Sequence, residues 1–117
     1  MLSGTKQFIT SGKNGDIAIV FAVTDPAAGK KGISAFIVPV KTPGYIVDRV
    51  ETKLGQHASD TAQIRFDECE VPFDHMLGGE GEGYKIALSN LEFILHGLLI
   101  RPIYVNTASL WRPMDQM

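Results

Sequence analysis

The sequence predicts a mainly β chain, a small β-barrel or sandwich followed by one C-terminal helix. Two observations carry that prediction. Before residue 78, short apolar runs recur between Gly/Pro turns, the pattern of several strands in a sandwich or barrel. After a glycine-rich stretch at 78–83 the apolar spacing lengthens to three and four residues, which is one face of a helix.

The first strand is entered almost at once, through Lys6-Gln7-Phe8-Ile9-Thr10, and the chain then turns on Asn14-Gly15. So abrupt an opening is expected of a segment cut from a longer protein. Ile17, Ile19, Phe21 and Val23 alternate with smaller residues, as a half-buried strand requires. Asp25-Pro26 and Gly29-Lys30-Lys31-Gly32 are turn chemistry, proline fixing φ and glycine permitting φ > 0. Ile33 to Val40 is the next strand, with Pro39 marking its edge or end. Thr42-Pro43-Gly44 turns the chain again. Val47 to Lys53 and Thr61 to Glu68 complete the set, the latter alternating Ile64 and Phe66 against Gln63, Arg65 and Asp67.

The expected division is a β domain over 1–77, a flexible Gly/Glu-rich linker at 78–83, a helix over 84–101 and a tail at 102–117. Tyr84, Ala87, Leu88, Leu91, Leu95 and Leu98 form the helix stripe. Pro102 ends it, because its ring disfavours helical geometry at Arg101. The stripe needs a partner surface, either the β domain itself or another chain. The apolar Phe93–Ile100 segment points to a homo-oligomer through this helix.

The 117 residues allow one domain with a modest core, and 44% apolar with 21% charged residues is an ordinary globular balance. A net charge of −2 supplies no basic field, which argues against nucleic-acid binding. The apolar stretch around Phe93–Val105 is broken by His96, Arg101 and Pro102 and is too short for a membrane span. One cysteine, Cys69, permits no internal disulfide, and the expected location is cytoplasmic.

Candidate chemistry is sparse. Gly79-x-Gly81-x-Gly83 lacks the spacing of a dinucleotide fingerprint and the Lys-Ser/Thr ending of a P-loop, and Glu80 and Glu82 would repel phosphate. Cys69 sits between Glu68 and Glu70, which disfavour the thiolate, so a structural thiol is expected. His57-Ala58-Ser59-Asp60 is expected to be a turn or sheet-edge hydrogen-bond network, since catalytic triads converge from separated segments. Glu92 and His96, four apart, suit a charge pair on the helix surface. His57, His75 and His96 have no metal-ligand spacing.

Four longer stretches carry a family resemblance. "GTKQFITSG" (Gly4 to Gly12), "GISAFIVP" with "TPGY" (Gly32 to Tyr45), "KLGQHASDTAQIRFDECEVP" (Lys53 to Pro72) and "LGGEGEGYKIALSNLE" (Leu77 to Glu92) resemble, in order, successive segments of the acyl-CoA dehydrogenases. The match runs from residue 2 to residue 92. It implies the β-barrel or sandwich of that family's middle domain plus the start of its C-terminal helical domain.

The resemblance further implies FAD as cofactor and α,β-dehydrogenation of an acyl-CoA thioester as the reaction. Electrons would pass to an electron-transferring flavoprotein. Phe8, Ile9 and Thr10 match the segment lying against the isoalloxazine ring, the aromatic by packing and the Thr hydroxyl by a hydrogen bond near N5. Two family features have no match here. The upstream Thr-Glu-Pro-x-x-Gly-Ser segment is absent, and Leu95 stands where relatives carry Arg, with no match to the catalytic-base region beyond. The expectation is therefore a non-catalytic fragment that binds FAD weakly; the alternative is a β module acting in oligomerisation or partner binding.

Overall fold

The computed structural model describes residues 1–89, and these form two three-stranded antiparallel sheets with a helix docked on one of them. The first sheet has the order β1 (Leu2–Thr10), β5 (Thr61–Cys69), β4 (Tyr45–Val50). The second has the order β2 (Ile17–Val23), β3 (Ile33–Pro39), β6 (Met76–Leu77). The mainly β expectation and its sequence of strands are thus realised. β1 begins earlier than the local pattern suggested, and β4 both begins and ends earlier. Asn90 onward, including the rest of the helix expected over 84–101, the Glu92/His96 pair and the tail, lies outside the described residues.

Period-two patterning places the core. Ala62, Ile64 and Phe66 of β5 face inward, while Arg65 turns outward to Asp48 at 3.2 Å and Asp67 at 3.1 Å. The inward set meets Ile9 and Tyr45 from its own sheet and Val20, Phe36 and Val38 from the other. Tyr45 and Phe66 pack edge to face, ring centroids 5.4 Å apart. Cys69 belongs to this core, and burial pushes its thiol pKa up. The thiol is structural, as expected, but the leading cause is desolvation rather than the neighbouring glutamates.

The second sheet is covered on both faces. Ala18, Val20 and Ala22 point into the main core, and Phe21 with Ala35 points the other way. On that outer face lie Ile86 and Ala87 of α1, helical over 83–89. The helix stripe therefore finds its first partner on the chain's own sheet.

The glycine-rich stretch, read from composition as flexible, is pinned to β3. A Cβ on Gly83 would stand 2.7 Å from the Ser34 carbonyl carbon and 2.8 Å from the Ile33 carbonyl oxygen, so only glycine permits this approach. Gly81 N–H donates to Ser34 Oγ at 3.0 Å, and that buried hydroxyl lies 2.8 Å from Thr24 Oγ1. Lys30 places its ammonium 5.1 Å from the centroid of Tyr84 at the start of the helix.

Candidate functional site

The candidate site is the C-terminal half of β1. Opposite Lys6 stands Ile64, and opposite Ile9 stands Ala62, so β1 spends one more residue than β5 over this interval. The extra residue is a β-bulge, which re-aims side chains. Here the re-aimed residue is Phe8. Its φ is 58°, in the left-handed region that an L-aromatic residue rarely occupies, and its side chain is 69% exposed. Such backbone strain costs on the order of 1–2 kcal/mol and persists where surrounding structure fixes it.

The surrounding structure does fix it. Ile9 is buried in the main core and anchors the strand immediately after the bulge. Beyond Thr10, Ser11 also has a positive φ, 56°, and the chain reverses through Gly12–Gly15. Two elements clamp this turn. Asp60 accepts from Lys13 N–H and Asn14 Nδ2 through its two carboxylate oxygens, each at 2.9 Å, while its carbonyl accepts from Ser11 N–H at 2.9 Å. From β4, the Tyr45 hydroxyl donates to the Gly12 carbonyl at 2.8 Å.

Of the three residues singled out from the sequence, Phe8 and Thr10 flank a third that turns away from the surface. Phe8 presents a ring face to solvent, Thr10 is half-buried, and the Ile9 side chain is committed to the core. Phe8 thus leaves an exposed aromatic ring on the strand, with Thr10 two residues further along it. Between them the Ile9 side chain packs in the main core.

The other candidates resolve into structure. His57 Nε2 lies 2.7 Å from the Lys53 carbonyl oxygen, and Lys53 Nζ reaches the carbonyls of Gln56 and Ser59. The His57–Asp60 cluster is a loop network, as expected. In the glycine-rich stretch, Gly79 N–H is taken by the Glu82 carboxylate at 2.8 Å and Gly81 N–H by Ser34, leaving no anion cradle at those amides. Among the described residues no group of three His, Cys, Asp or Glu side chains can hold a metal. No helix among them is long and apolar enough to cross a membrane.

Sequence reasoning missed Asp60 as the clamp of the site. Its signal was present as an acidic residue just before a strand, but its partners lie 46 and 47 residues away.

Residues 1–69 match the family described as acyl-CoA dehydrogenase, middle domain. The chain belongs to that family. An acyl-CoA dehydrogenase of Bacillus subtilis is 44% identical over 115 residues, 98% of this chain and 30% of the relative. That alignment reaches past Phe93, where the motifs had ended, so the likeness extends further than they indicated. Butyryl-CoA dehydrogenase of Megasphaera elsdenii superposes with a TM-score of 0.74 at 47% identity, over 78% of this chain and 24% of that one. A chain in the structure described as the electron transferring flavoprotein of Acidaminococcus fermentans gives a TM-score of 0.76 at 49% identity, over 79% and 24%. This chain therefore spans less than a third of the length of these relatives.

Proposed function

We propose that this chain forms one wall of an FAD site of the acyl-CoA dehydrogenase type and is not catalytic in isolation. The observation that carries the reading is Phe8, held by a bulge in a strained conformation with its ring in solvent. An exposed aromatic on a strained, clamped strand is costly unless it has a ring to meet. In the dehydrogenation proposed for the longer relatives, FAD supplies the hydride acceptor for an acyl-CoA thioester.

The work assigned to this chain is positional. Phe8 supplies a packing face, Thr10 a hydroxyl directed at the ring edge, and Ile9 the anchorage that keeps both in place. Transfer of electrons to an electron-transferring flavoprotein belongs to the same proposal and is supported by the likeness to the Acidaminococcus structure. Proton abstraction needs a base held in tight register with the acceptor. The carboxylate of Asp60, which clamps the turn after Thr10, is engaged by Lys13 N–H and Asn14 Nδ2.

A single wall gives weak binding, in the millimolar range, once the entropy of association is subtracted. Titration of the chain with FAD, followed by flavin fluorescence, tests the site. Saturation in the millimolar range that is lost in Phe8→Ala is the expected outcome. Affinity untouched by Phe8→Ala would remove Phe8 from the proposal. Dye reduction with a range of acyl-CoA thioesters and added FAD tests the second half; any FAD-dependent turnover would end the non-catalytic reading.

A second reading, self-association through the C-terminal helix, is favoured by Leu88, 46% exposed on α1. Sedimentation at micromolar concentration distinguishes it.

A further inference from the structure

The turn beyond β1 carries a reactive dipeptide. Of the asparagines in the chain, Asn14, Asn90 and Asn106, only Asn14 is followed by glycine. Both members of the pair hold the turn together. Asn14 Nδ2 donates to Asp60 Oδ1 at 2.9 Å, and Gly15 N–H donates to the Ser11 carbonyl at 2.8 Å. A Cβ at position 15 would stand 2.8 Å from that same carbonyl oxygen, so the turn demands glycine there. Glycine, however, puts no side chain between its own nitrogen and the amide carbon of the asparagine before it. The residue the turn requires is also the one that leaves Asn14 open to attack.

The chemistry is deamidation. Gly15 nitrogen, once its proton has gone to a solvent base, bonds to Asn14 Cγ; the Cγ–Nδ2 bond breaks and ammonia leaves with a proton from water. Water then opens the cyclic imide. Breaking the bond from nitrogen to Cγ gives aspartate, and breaking the bond from nitrogen to the main-chain carbonyl carbon gives isoaspartate. One water is taken up, one ammonia is lost, and nothing is oxidised or reduced. Asn14 is exposed, so water reaches it. Two bonds oppose the first step. Donation to Ser11 keeps the Gly15 proton in place, and donation to the Asp60 carboxylate holds the side chain and makes Cγ a poorer electrophile.

We propose that Asn14-Gly15 is a self-modifying site, whose deamidation is held off by Asp60 and, once it occurs, unclamps the turn beyond the candidate flavin strand. Aspartate at position 14 sets a second carboxylate against that of Asp60, and like charges this close repel. Isoaspartate runs the main chain through the side-chain methylene, one backbone atom longer, so the turn no longer fits its bonds. On the flavin reading above, the wall that Phe8 and Thr10 supply slackens with it.

Peptide mass spectrometry of the full chain, aged in mildly alkaline buffer made with heavy-oxygen water, tests the site. Conversion at position 14 should take up one solvent oxygen and run about tenfold or more slower in the folded chain than in guanidinium chloride. In guanidinium, Asn14 should convert ahead of Asn90 and Asn106, which precede leucine and threonine. Asp60→Ala should speed conversion in the folded chain about fivefold, the factor carried by one lost hydrogen bond. Equal rates folded and unfolded would overturn the protection, and an Asp60→Ala chain that ages no faster would overturn the role of Asp60. If Asp60→Ala does not fold, Asp60→Asn, which keeps one acceptor oxygen, carries the same expectation.

The consequence is read by NMR. Asn14→Asp should move the amide shifts of Phe8 to Gly12 more than those of β3. Asn14→Asp combined with Asp60→Asn puts one carboxylate and one amide back across the contact, and the shifts should return toward the parent values. Shifts unmoved by Asn14→Asp, or no return in the paired variant, would overturn the switch. Both readouts are free of flavin, so failure of the FAD site and failure of the switch are seen separately.

Discussion

The Tyr45 hydroxyl donates a 2.8 Å hydrogen bond to the carbonyl of Gly12, tying β4 to the turn that follows the candidate flavin strand. The ring is simultaneously packed against Phe66, so Tyr45→Phe removes the bond and keeps the packing. A buried carbonyl left without its donor costs about 1–2 kcal/mol. Urea unfolding should show that loss, with the midpoint lowered and the slope unchanged. Burial, with Asp60 adding to it, pushes the Tyr45 pKa from 10.0 up to about 12. The unfolded phenol therefore ionises first, so stability falls as pH rises between those values. The phenylalanine variant should lack that fall.

Lys6 gives a pH dependence of the opposite sign. Burial lowers its pKa from 10.5 to about 8. Between those values the unfolded chain holds a proton that the folded chain has released, so stability rises with pH. The gain is on the order of 2 kcal/mol across the window. Lys6→Met should abolish the rise, and the difference between the two proteins' unfolding free energies from pH 7 to pH 10 is the measurement. This contrast isolates Lys6 from Cys69, whose raised pKa makes stability fall at the alkaline end in both proteins.

Gly83 and Gly79 separate docking from composition. Alanine at Gly83 forces a methyl group into the backbone of Ile33 and Ser34, and neither neighbour can rotate away. Lifting α1 from Phe21 and Ala35 should cost about 2 kcal/mol or more. At Gly79 the nearest atom to an added Cβ is the flexible Glu82 carboxylate, at 3.5 Å. Gly79→Ala should therefore change stability by less than about 0.5 kcal/mol. Equal effects at the two positions in thermal or urea unfolding would mean that the glycine-rich stretch is not held to β3.

Much of this architecture was legible because burial in a small sandwich is a one-dimensional signal. Ile64 and Phe66 against Gln63 and Arg65 state which face of β5 is inward, and the structure agrees. The division of β1 and β2 between two sheets was not legible. Asn14-Gly15 between two apolar runs favours a hairpin locally, and only the long-range pairing of β1 with β5 decides otherwise. The glycines of the 78–83 stretch look the same in composition whether they bend freely or press against another backbone. At the site, Phe8, Ile9 and Thr10 came from resemblance; their separation into outward, inward and half-buried follows from a one-residue bulge, which no period-two pattern announces.

Asp60 is testable as the clamp of the β1 turn. Asp60→Ala removes the acceptors of Lys13 N–H and Asn14 Nδ2, both at exposed positions, and should cost about 1 kcal/mol. The more telling readout is local. Amide shifts of Phe8 to Gly12 should move more than those of β2 or β3, and exchange at Ser11 should quicken. A uniform stability loss without shift changes at Phe8 to Gly12 would make Asp60 an ordinary loop residue.

Phe8 sets stability against use. An ordinary Phe→Gly change inside a strand destabilises, through lost packing and backbone entropy. At this position the ring is largely in solvent and φ is 58°, a value that glycine reaches without penalty. Relief of the left-handed strain is worth about 1 kcal/mol, comparable to the entropy cost. Phe8→Gly should therefore unfold at the same or a higher urea concentration than the parent chain, and it should bind FAD more weakly. Gln7→Gly, next to it in the same bulge but without a positive φ, should lose about 0.5–1 kcal/mol. If Phe8→Gly instead destabilises as strongly as Gln7→Gly, the ring contributes to folding and its exposure is no mark of a binding surface. If it stabilises while flavin affinity drops, the bulge is held at the expense of the fold for something that lies outside it.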